Sequence, residues 1–310
     1  MRLRTLLGVA AGTVGATTVV NRLLAERADG FQPILPGDRG TYRWRGFDVA
    51  YAELGDPADQ DLVLLHGIHA AASGHEYQPV AADLAETFHV LIPDLPGFGH
   101  SDRPALTYSA SLYETFLTDF LTDVTDEPPI VVASSLTASY AAHAATTTPV
   151  ASLVLICPSS GVAGGQRRRW LHALIRSPVV GQAIFNAIAS KPGIRYFHAD
   201  HGVADPARYP AALIDYEWRT AHQPGARFAP ASFLAGYLDP DQDLGNVLAE
   251  LDVPKTLLWG RDADLAPLQR GREWAEQADA RLVVVDDAKL LPHVEHPMSL
   301  RDVLKDTIPA

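Results

Sequence analysis

Residues 130–138 read IVVASSLTA. Three β-branched apolar residues lead into a pair of serines, and an alanine-rich segment follows. Such a short apolar run is typical of a buried strand, and alanine favours the helix after it. In so sharp a strand-to-helix turn the central residue is strained, and the residues two positions to either side must be small. Ser135 fits the central position between Ala133 and Thr137; a helix N-cap serine is the alternative interpretation.

Other parts of the chain repeat this pattern of short apolar runs. Segments of helical period separate most of these runs, which predicts parallel strands covered by helices on both sides. Residues 41–53 alternate apolar and polar residues around Gly46, which predicts a hairpin. Together these patterns predict an α/β fold with a mostly parallel, eight-stranded sheet. The other buried runs are Leu62 to Leu65, Val90 to Ile92, Leu153 to Ile156, Thr256 to Leu258 and Leu282 to Val285.

One long segment carries no strand pattern. Between Gly161 and about Leu251 the chain offers only amphipathic or aromatic stretches, which predict helices. We therefore expect a helical cap over 161–251, inserted after the sixth strand of a core made of 40–160 and 252–310. Residues 1–30 stand apart from this core as an apolar segment.

Two loops beside the strands make a family resemblance specific. HGI at 66–68 follows the third strand, and DLPGFGHSDRP at 94–104 follows the fourth. With the serine turn after the fifth strand, this order resembles the α/β-hydrolase superfamily over Tyr42 to Ile308, and in particular a branch with an ASSL-type elbow. The resemblance implies that Ser135 is the nucleophile and that the backbone N–H groups of Ile68 and Leu136 form an oxyanion hole.

The sequence departs from the family at both other positions of the catalytic triad. In WGRDADLAP (259–267) the position of the acid is Ala263, and in KLLPHVE (289–295) the position of the histidine is Leu290. A serine hydroxyl is almost never ionised near neutral pH, so a base must remove its proton during attack. Leucine cannot do so.

Other side chains could replace the missing groups. A displaced histidine or a desolvated lysine can act as a base, and loop carboxylates can orient one. The candidates for the base are His293, His69 and Lys289. The carboxylates that could serve as the acid or contact a ligand are Asp262, Asp264 and Glu76. Alternatively, Asp262 and Asp264 are solvated loop carboxylates, and Glu76 is a carboxylate favoured by the dipole at a helix N-terminus.

Three functions remain open at this point. The first is a serine hydrolase that acts on an ester, thioester or amide of an apolar acyl group. The second is a catalytically inactive, membrane-tethered member of the fold that binds a small apolar ligand. The third, a cofactor-free lyase or oxygenase, would also need a base. Fold resemblance alone does not choose between them.

Charge and cysteine usage exclude several classes of function. The chain of 310 residues carries 25 basic and 37 acidic residues, a net charge of −12, which argues against a nucleic-acid partner. Scarce lysine and abundant aspartate suit a salt-rich cytoplasm or reflect a GC-rich genome. The single cysteine, Cys157, allows no internal disulfide and no CxxC site. No histidine spacing indicates a metal and no phosphate loop indicates a nucleotide cofactor. No pattern selects an oligomeric state.

The N-terminal segment has the pattern of a membrane anchor. Arg2 and Arg4 precede an uncharged run from Thr5 to Val20, which is somewhat shorter than the roughly 20 residues of a spanning helix. We expect a signal anchor and membrane association. The alternatives are a cleaved signal peptide of a secreted protein and a helix that lies on the membrane or on the domain of a cytoplasmic protein.

Overall fold

Eight strands form one sheet in the computed structural model of this chain: β1 (Asp38–Trp44), β2 (Phe47–Leu54), β3 (Asp61–Leu65), β4 (His89–Pro93), β5 (Ile130–Ser134), β6 (Ser152–Ile156), β7 (Lys255–Gly260) and β8 (Arg281–Val285). The structure describes the backbone of residues 2–161, 164 and 166–306, and the side chains of those from residue 14 onward. The strand order is β1-β2-β4-β3-β5-β6-β7-β8. β3 to β8 pair in parallel, whereas β2 is antiparallel to β1 and β4. The predicted mostly parallel, eight-stranded sheet is confirmed.

The first two strands form the predicted hairpin. Trp44 pairs with Phe47 across a two-residue turn made of Arg45 and Gly46. These two residues have φ angles of 48° and 93°. Positive φ at both central positions is the type I′ turn, whose twist matches that of the flanking strands.

Helices cover both faces of the sheet. Within the described residues they are α1 (Arg2–Ala28), α2 (Gln78–Leu84), α3 (Ala110–Val124), α4 (Leu136–Ala144), α5 (Arg169–Arg176), α6 (Val180–Ile188), α7 (Lys191–Phe197), α8 (Ala211–Ala221), α9 (Phe228–Leu234), α10 (Leu244–Glu250), α11 (Leu268–Gln277), α12 (Pro292–Glu295) and α13 (Pro297–Lys305).

Alternate residues of the buried strands supply two separate cores. In β3, Leu62 and Leu64 face the side covered by α2 and α13, whereas Val63 and Leu65 face the side covered by α3, α4, α10 and α11. All four side chains are fully buried. This is why Leu62 to Leu65 are apolar at four consecutive positions, since side chains of a strand alternate between the two faces of a sheet.

Helices α5 to α10 lie between β6 and β7, as the fold prediction expected, and the last of them, α10, packs against α4 and α11 of the core. Helices α5 to α9 lie over the core. We call the segment that carries them, 169–234, the cap. Its buried apolar side chains form a third cluster, which includes Phe185, Ile194 and Leu213. Ala71 and Val294 of the core belong to the same cluster, so apolar packing holds the cap over two core loops.

The second half of α1 packs against α6 and α8 of the cap. The side-chain amide of Asn21 donates to the carbonyl of Val179 at 3.1 Å and accepts from Asn186 at 3.0 Å. At the end of the helix, Gln223 donates to the carbonyl of Ala28 at 2.8 Å. These contacts tie α1 to the cap.

The expected membrane-spanning anchor is not supported. Among the residues that the structure describes, no helix is both long and apolar enough to cross a bilayer. Charges interrupt α1 after the apolar run, and Arg22 pairs with Glu26 at 2.8 Å within the helix. Residues 1–13, which hold much of that run, lie outside the described side chains. The described contacts of α1, from Asn21 to Ala28, are with the cap.

Candidate active site

Ser135 forms the turn between β5 and α4. Its φ of 52° and ψ of −126° are strained for a residue with a side chain, as the motif predicts. Its N–H donates to the carbonyl of Ile156 at 2.8 Å, and its carbonyl accepts from the N–H of Ser159 at 3.2 Å, so β6 and the loop after it fix the turn. The hydroxyl makes no capping hydrogen bond to α4, which argues against the N-cap interpretation. The side chain is partly exposed.

The loop after β3 packs tightly against this turn. A Cβ atom on Gly67 would come within 3.3 Å of both the Ser135 Cβ and the Ser134 Oγ, so a side chain at this position would crowd the serine turn. His66 fixes the loop, because its Nδ1 lies 2.7 Å from the carbonyl of Gly67 and its Nε2 accepts from the N–H of Leu95 at 3.0 Å. The N–H groups of Ile68 and Leu136 donate to no oxygen of the described residues. Both are therefore free to bind a ligand oxygen.

The two normal triad positions hold apolar side chains. Ala263 is buried, and Leu290 packs against the core on the β5–α4 side of the sheet. The carboxylates beside Ala263 are at the surface. Asp264 pairs with His201 at 2.8 Å. Partial burial alone would raise the pKa of Asp264, but the hydrogen bond to His201 lowers it. Asp262 is largely exposed except at its backbone, which donates to the carbonyl of Ala288.

A π-helical turn of the cap, His198–Gly202, covers the loop that carries Leu290. The N–H groups of Leu290 and Leu291 donate to the carbonyls of His201 and Gly202 at 3.4 and 3.0 Å. The ammonium of Lys289 donates to the carbonyls of Ala199 and Asp200 in the same turn. These hydrogen bonds connect the loop that carries Leu290 to the cap. The role of Lys289 as a base stays a prediction. In this structure its ammonium group donates hydrogen bonds to the cap.

Glu76 and His293 form a buried pair beneath the serine turn. The Nε2 atom of His293 lies 3.0 Å from Oε1 of Glu76, and Oε2 of Glu76 accepts from the N–H of Gly67 at 2.8 Å. Burial alone would raise the pKa of Glu76. The charge of the His293 imidazole at 3.0 Å, with the nearby Ser134 hydroxyl and the hydrogen bond from the Gly67 N–H, nevertheless lowers it to about 2. The ionised carboxylate accepts the hydrogen bond from the Gly67 N–H and so holds this loop in place. The next N–H, that of Ile68, stays free.

A second buried cluster joins the core to the cap, and sequence reasoning missed it. Glu217 of α8 is completely buried and accepts from His75 Nε2 at 2.9 Å, from His198 Nε2 at 2.9 Å and from the Tyr209 hydroxyl at 2.6 Å. Burial opposes its ionisation, but the charges and hydrogen bonds of the two histidines hold the pKa of Glu217 well below its usual range. His75 is 142 positions away from Glu217, so no local spacing could have joined them.

One part of this cluster has the connectivity of a serine triad. The Oγ of Ser73 lies 2.7 Å from His75 Nδ1, and the opposite nitrogen of that ring contacts Glu217. Ser73 is completely buried, however, and lies between loop residues that pack under the cap. A substrate carbonyl has no access to it, so we interpret this chain of hydrogen bonds as a structural link between core and cap.

An apolar cavity of about 320 Å³ lies between the cap and the loop after Ile68. Ala70 and Ala71 form its wall on the core side, and Ile194, Phe197 and Phe233 are among the cap residues that line it. The polar side chains at its wall are His69, His198 and Glu217. Ser135 is not one of the lining residues. A cavity of this size and lining suits a small apolar ligand.

His69 presents a hydrogen-bond donor to this cavity. Its Nδ1 accepts from the N–H of Ala71 at 3.3 Å, so the proton of the neutral ring is on Nε2. Burial lowers the pKa of His69 to about 4, and its ring stacks on Phe197 at 5.5 Å between centroids. In this tautomer the ring offers the cavity an N–H rather than the lone pair that a base needs.

Other reactive groups have structural surroundings. Cys157 is completely buried, and burial raises the pKa of its thiol to about 12, so it is not a nucleophile. Among the described residues, no group of three or more histidine, cysteine or carboxylate side chains is arranged to hold a metal ion.

Comparisons with known proteins agree with the fold. The chain is 27% identical over 221 residues to a pimeloyl-[acyl-carrier protein] methyl ester esterase of Vibrio campbellii, which covers 70% of this chain and 82% of the relative. Two solved structures share the fold at lower identity. A 2-hydroxy-6-oxo-6-phenylhexa-2,4-dienoate hydrolase of Rhodococcus has a TM-score of 0.70, 19% identity and coverage of 88% of this chain and 99% of its own. A bacterial membrane phospholipase A has a TM-score of 0.69, 20% identity and coverage of 99% and 98%.

The profile of one family spans most of the chain. It matches residues 62–302, which include the loop after β3, the serine turn, the cap and the loop that carries Leu290. The chain belongs to the Alpha/beta hydrolase family.

Proposed function

We propose that this protein is a serine hydrolase that cleaves a carboxylic ester of an apolar acyl group. The observation that carries the proposal is the strained, partly exposed Ser135. The free N–H of Leu136 follows it directly, and the loop that carries the free N–H of Ile68 packs against it at Gly67. Strain of this kind persists where surrounding structure enforces it, commonly at reactive sites. The methyl ester esterases of Vibrio support an ester as the substrate, and a thioester or an amide is the next choice.

The reaction begins with attack of the Ser135 Oγ on the ester carbonyl. The new C–O bond pushes an electron pair onto the carbonyl oxygen, and the N–H groups of Ile68 and Leu136 stabilise this oxyanion. Its collapse breaks the bond to the alkoxide, which takes up the proton that Ser135 has lost and leaves as the alcohol, and the acyl group stays on Ser135. Water then releases the acid and restores the serine.

The rate should be low for a serine hydrolase. Leu290 and Ala263 stand at the two triad positions, and neither side chain can accept the serine proton or orient a base. Removing a triad member from a serine protease leaves roughly 10³–10⁴-fold catalysis over water, from the oxyanion hole and substrate binding alone. We therefore expect Ser135 to react, but slowly.

A fluorophosphonate probe tests the proposal directly, because it forms a covalent bond with an activated serine. We expect the purified protein to be labelled in low and high salt, and Ser135→Ala to abolish the labelling. Ser134→Ala is the matched control, since Ser134 is adjacent but completely buried, and it should still be labelled. Mass spectrometry of the labelled peptide identifies the residue.

The apolar side chains at both triad positions favour a second function, an inactive member that binds a small apolar ligand in the cavity. Absence of labelling in the folded protein, together with retention of a p-nitrophenyl ester without its hydrolysis, would establish this second function. Labelling of Ser135 without release of the acyl group would still support the first, because attack would have occurred.

A further inference from the structure

We propose that α1 and the cap form a docking surface for an anionic lipid bilayer, with which the protein makes a peripheral contact. Such docking goes beyond hydrolysis by Ser135 and does not depend on it. It follows from where the chain carries its positive charges, where its apolar side chains are exposed and where the cavity opens.

Charge is distributed very unevenly along this chain. Together, α1 and residues 167–234, which are the cap and the two arginines before it, contain 13 basic and 5 acidic residues. The rest of the chain contains 12 basic and 32 acidic residues. The net charge of −12 therefore combines a basic cap with a strongly acidic core. Anionic lipids attract clustered arginine side chains and repel carboxylates, so they would select the cap side of the molecule.

Several of these arginines are not neutralised by a carboxylate. Arg168, Arg169 and Arg195 are exposed, and they form no ion pair with another residue that the structure describes. Lys191 differs from them, because its ammonium pairs with Asp215 at 2.6 Å. A guanidinium group binds phosphate oxygens through several N–H donors at once. The three unpaired arginines are therefore available to lipid phosphates.

Exposed apolar side chains accompany these charges. In the described part of the chain ten large hydrophobic side chains are exposed, and eight of them belong to α1 or the cap, which make up less than a third of the residues. Trp170 and Tyr196 are each 69% exposed. Both residue types favour the headgroup region of a bilayer, since their rings are apolar and their tips are polar. The other six are Val14, Val19, Val20, Leu23, Val180 and Ile188.

The helices that carry these residues are neighbours. Helix α6 packs against α1, α5 and α7, so the exposed side chains of these four helices belong to adjoining parts of the surface. Val180 directly follows Val179, whose carbonyl accepts from Asn21 of α1 at 3.1 Å. In α5, the exposed Arg169 is next to Trp170. The surface thus combines apolar side chains with cations, which is the combination that binds anionic lipid surfaces.

The apolar cavity opens on this surface. Ile188 and Tyr196 line the cavity and are also exposed, so they form part of its rim. The exposed Arg195 is next to Tyr196 in α7. A bilayer bound here would place phosphates at the arginine and acyl chains at the rim. A nucleic acid or an acidic protein would use the arginines but not the apolar rim, so a lipid surface fits both.

Vesicle binding tests this docking on the full chain. The protein is mixed with vesicles of equal parts phosphatidylglycerol and phosphatidylcholine, or of phosphatidylcholine alone, and the vesicles are sedimented. We expect at least about tenfold tighter binding to the anionic vesicles, and weaker binding at about 1 M salt, where the Debye length falls to about 3 Å. Ser135→Ala should bind equally well, because no hydrolysis is needed.

Two pairs of arginines separate the cap from the core. Arg169→Ala with Arg195→Ala should weaken binding to the anionic vesicles by about 25-fold, since each basic residue near an anionic surface contributes about fivefold. Arg270→Ala with Arg272→Ala is the matched control, because it removes two exposed arginines of α11 and gives the same net charge. The control should bind within about twofold of the unmodified protein. Circular dichroism shows whether each variant is folded.

Trp170 reports which face meets the bilayer. All five tryptophans lie in the described part of the chain, and Trp170 alone among them is exposed. Brominated acyl chains in the anionic vesicles should therefore quench the tryptophan fluorescence of the bound protein. Trp170→Phe should lose most of this quenching and still bind. Trp218→Phe, which changes a half-buried tryptophan of α8, should keep the quenching.

Several outcomes would overturn the docking surface without any consequence for the reaction of Ser135. One is equal binding of the two arginine variants to the anionic vesicles. Another is binding without quenching of Trp170, which would mean that another part of the chain holds the protein on the vesicle. Failure to bind anionic vesicles, with binding of a DNA duplex at the same salt concentration, would identify a surface for nucleic acid instead.

Discussion

The imidazole of His293 lies 3.0 Å from the carboxylate of Glu76, and both side chains are buried under the serine turn. Each is a plausible substitute for a lost triad member when the sequence is considered alone. In this structure Nε2 of His293 contacts Oε1 of Glu76, and Oε2 of Glu76 accepts from the N–H of Gly67. Their contact supports the loop that presents the N–H of Ile68. Neither forms a hydrogen bond with Ser135 in the described part of the chain.

Glu76→Gln should make the protein less stable by on the order of 3 kcal/mol at pH 7, with a smaller loss at acid pH. The folded-state pKa of Glu76, about 2, is below its ordinary value. The ionised carboxylate therefore contributes stability above about pH 4.5, and this contribution disappears as the pH falls towards 2. Urea unfolding at pH 7 and at about pH 3 measures the difference between the two proteins.

Glu217 also has a lowered pKa and contributes to the pH dependence of stability. This contribution is the same in Glu76→Gln and in the unmodified protein, so it cancels in the difference between them at each pH. A difference in stability that stays constant from pH 7 to pH 3 would contradict an ionised Glu76 in the folded state.

Leu290→His with Ala263→Asp should increase the reactivity of Ser135. These changes restore the base and the acid at the two family positions, and triad residues act as a unit, so we expect at least a tenfold faster labelling. Leu291→His is the matched control, since it places an imidazole one residue away in the same loop. Equal labelling rates for the two histidine variants would show that Leu290 does not mark the place of the base.

Gly67→Ala should slow the labelling of Ser135 by about tenfold or more, because the new methyl group would lie 3.3 Å from the Ser135 Cβ and 3.4 Å from Glu76 Oε2. Overpacking of this kind should also reduce stability by about 1–3 kcal/mol. Gly15→Ala, where no atom lies within 4 Å of the new methyl group, should leave the labelling rate unchanged. A labelling rate in Gly67→Ala equal to that of the unmodified protein would mean that the loop does not constrain the serine turn.

Asn21→Ala should loosen α1 from the cap. It removes hydrogen bonds to Val179 and Asn186, each of which contributes about 1 kcal/mol. Amide hydrogen exchange should show reduced protection over residues 14–28. Thr18→Ala, which removes only a hydroxyl bonded to Val14 of the same helix, is the control. Unchanged protection in Asn21→Ala would contradict the docking of α1.

Much of the fold follows from local sequence patterns. The run Leu62 to Leu65 lies within β3, and the turn at Gly46 joins β1 to β2, because short apolar runs and turn residues act over a few neighbouring positions. The N-terminal segment is different. Its apolar run indicates a helix, but whether that helix spans a membrane or lies on the cap depends on partners such as Asn186, which are far away in the chain.

The sequence by itself determined the α/β fold, the strained turn at Ser135 and the absence of a histidine and an acid at Leu290 and Ala263. Each of these depends on residue type within a short motif. Only the tertiary structure decided that Glu76 pairs with His293 and that Glu217 gathers His75 and His198. Buried ionisable groups are stable only with partners, and long-range folding chooses those partners.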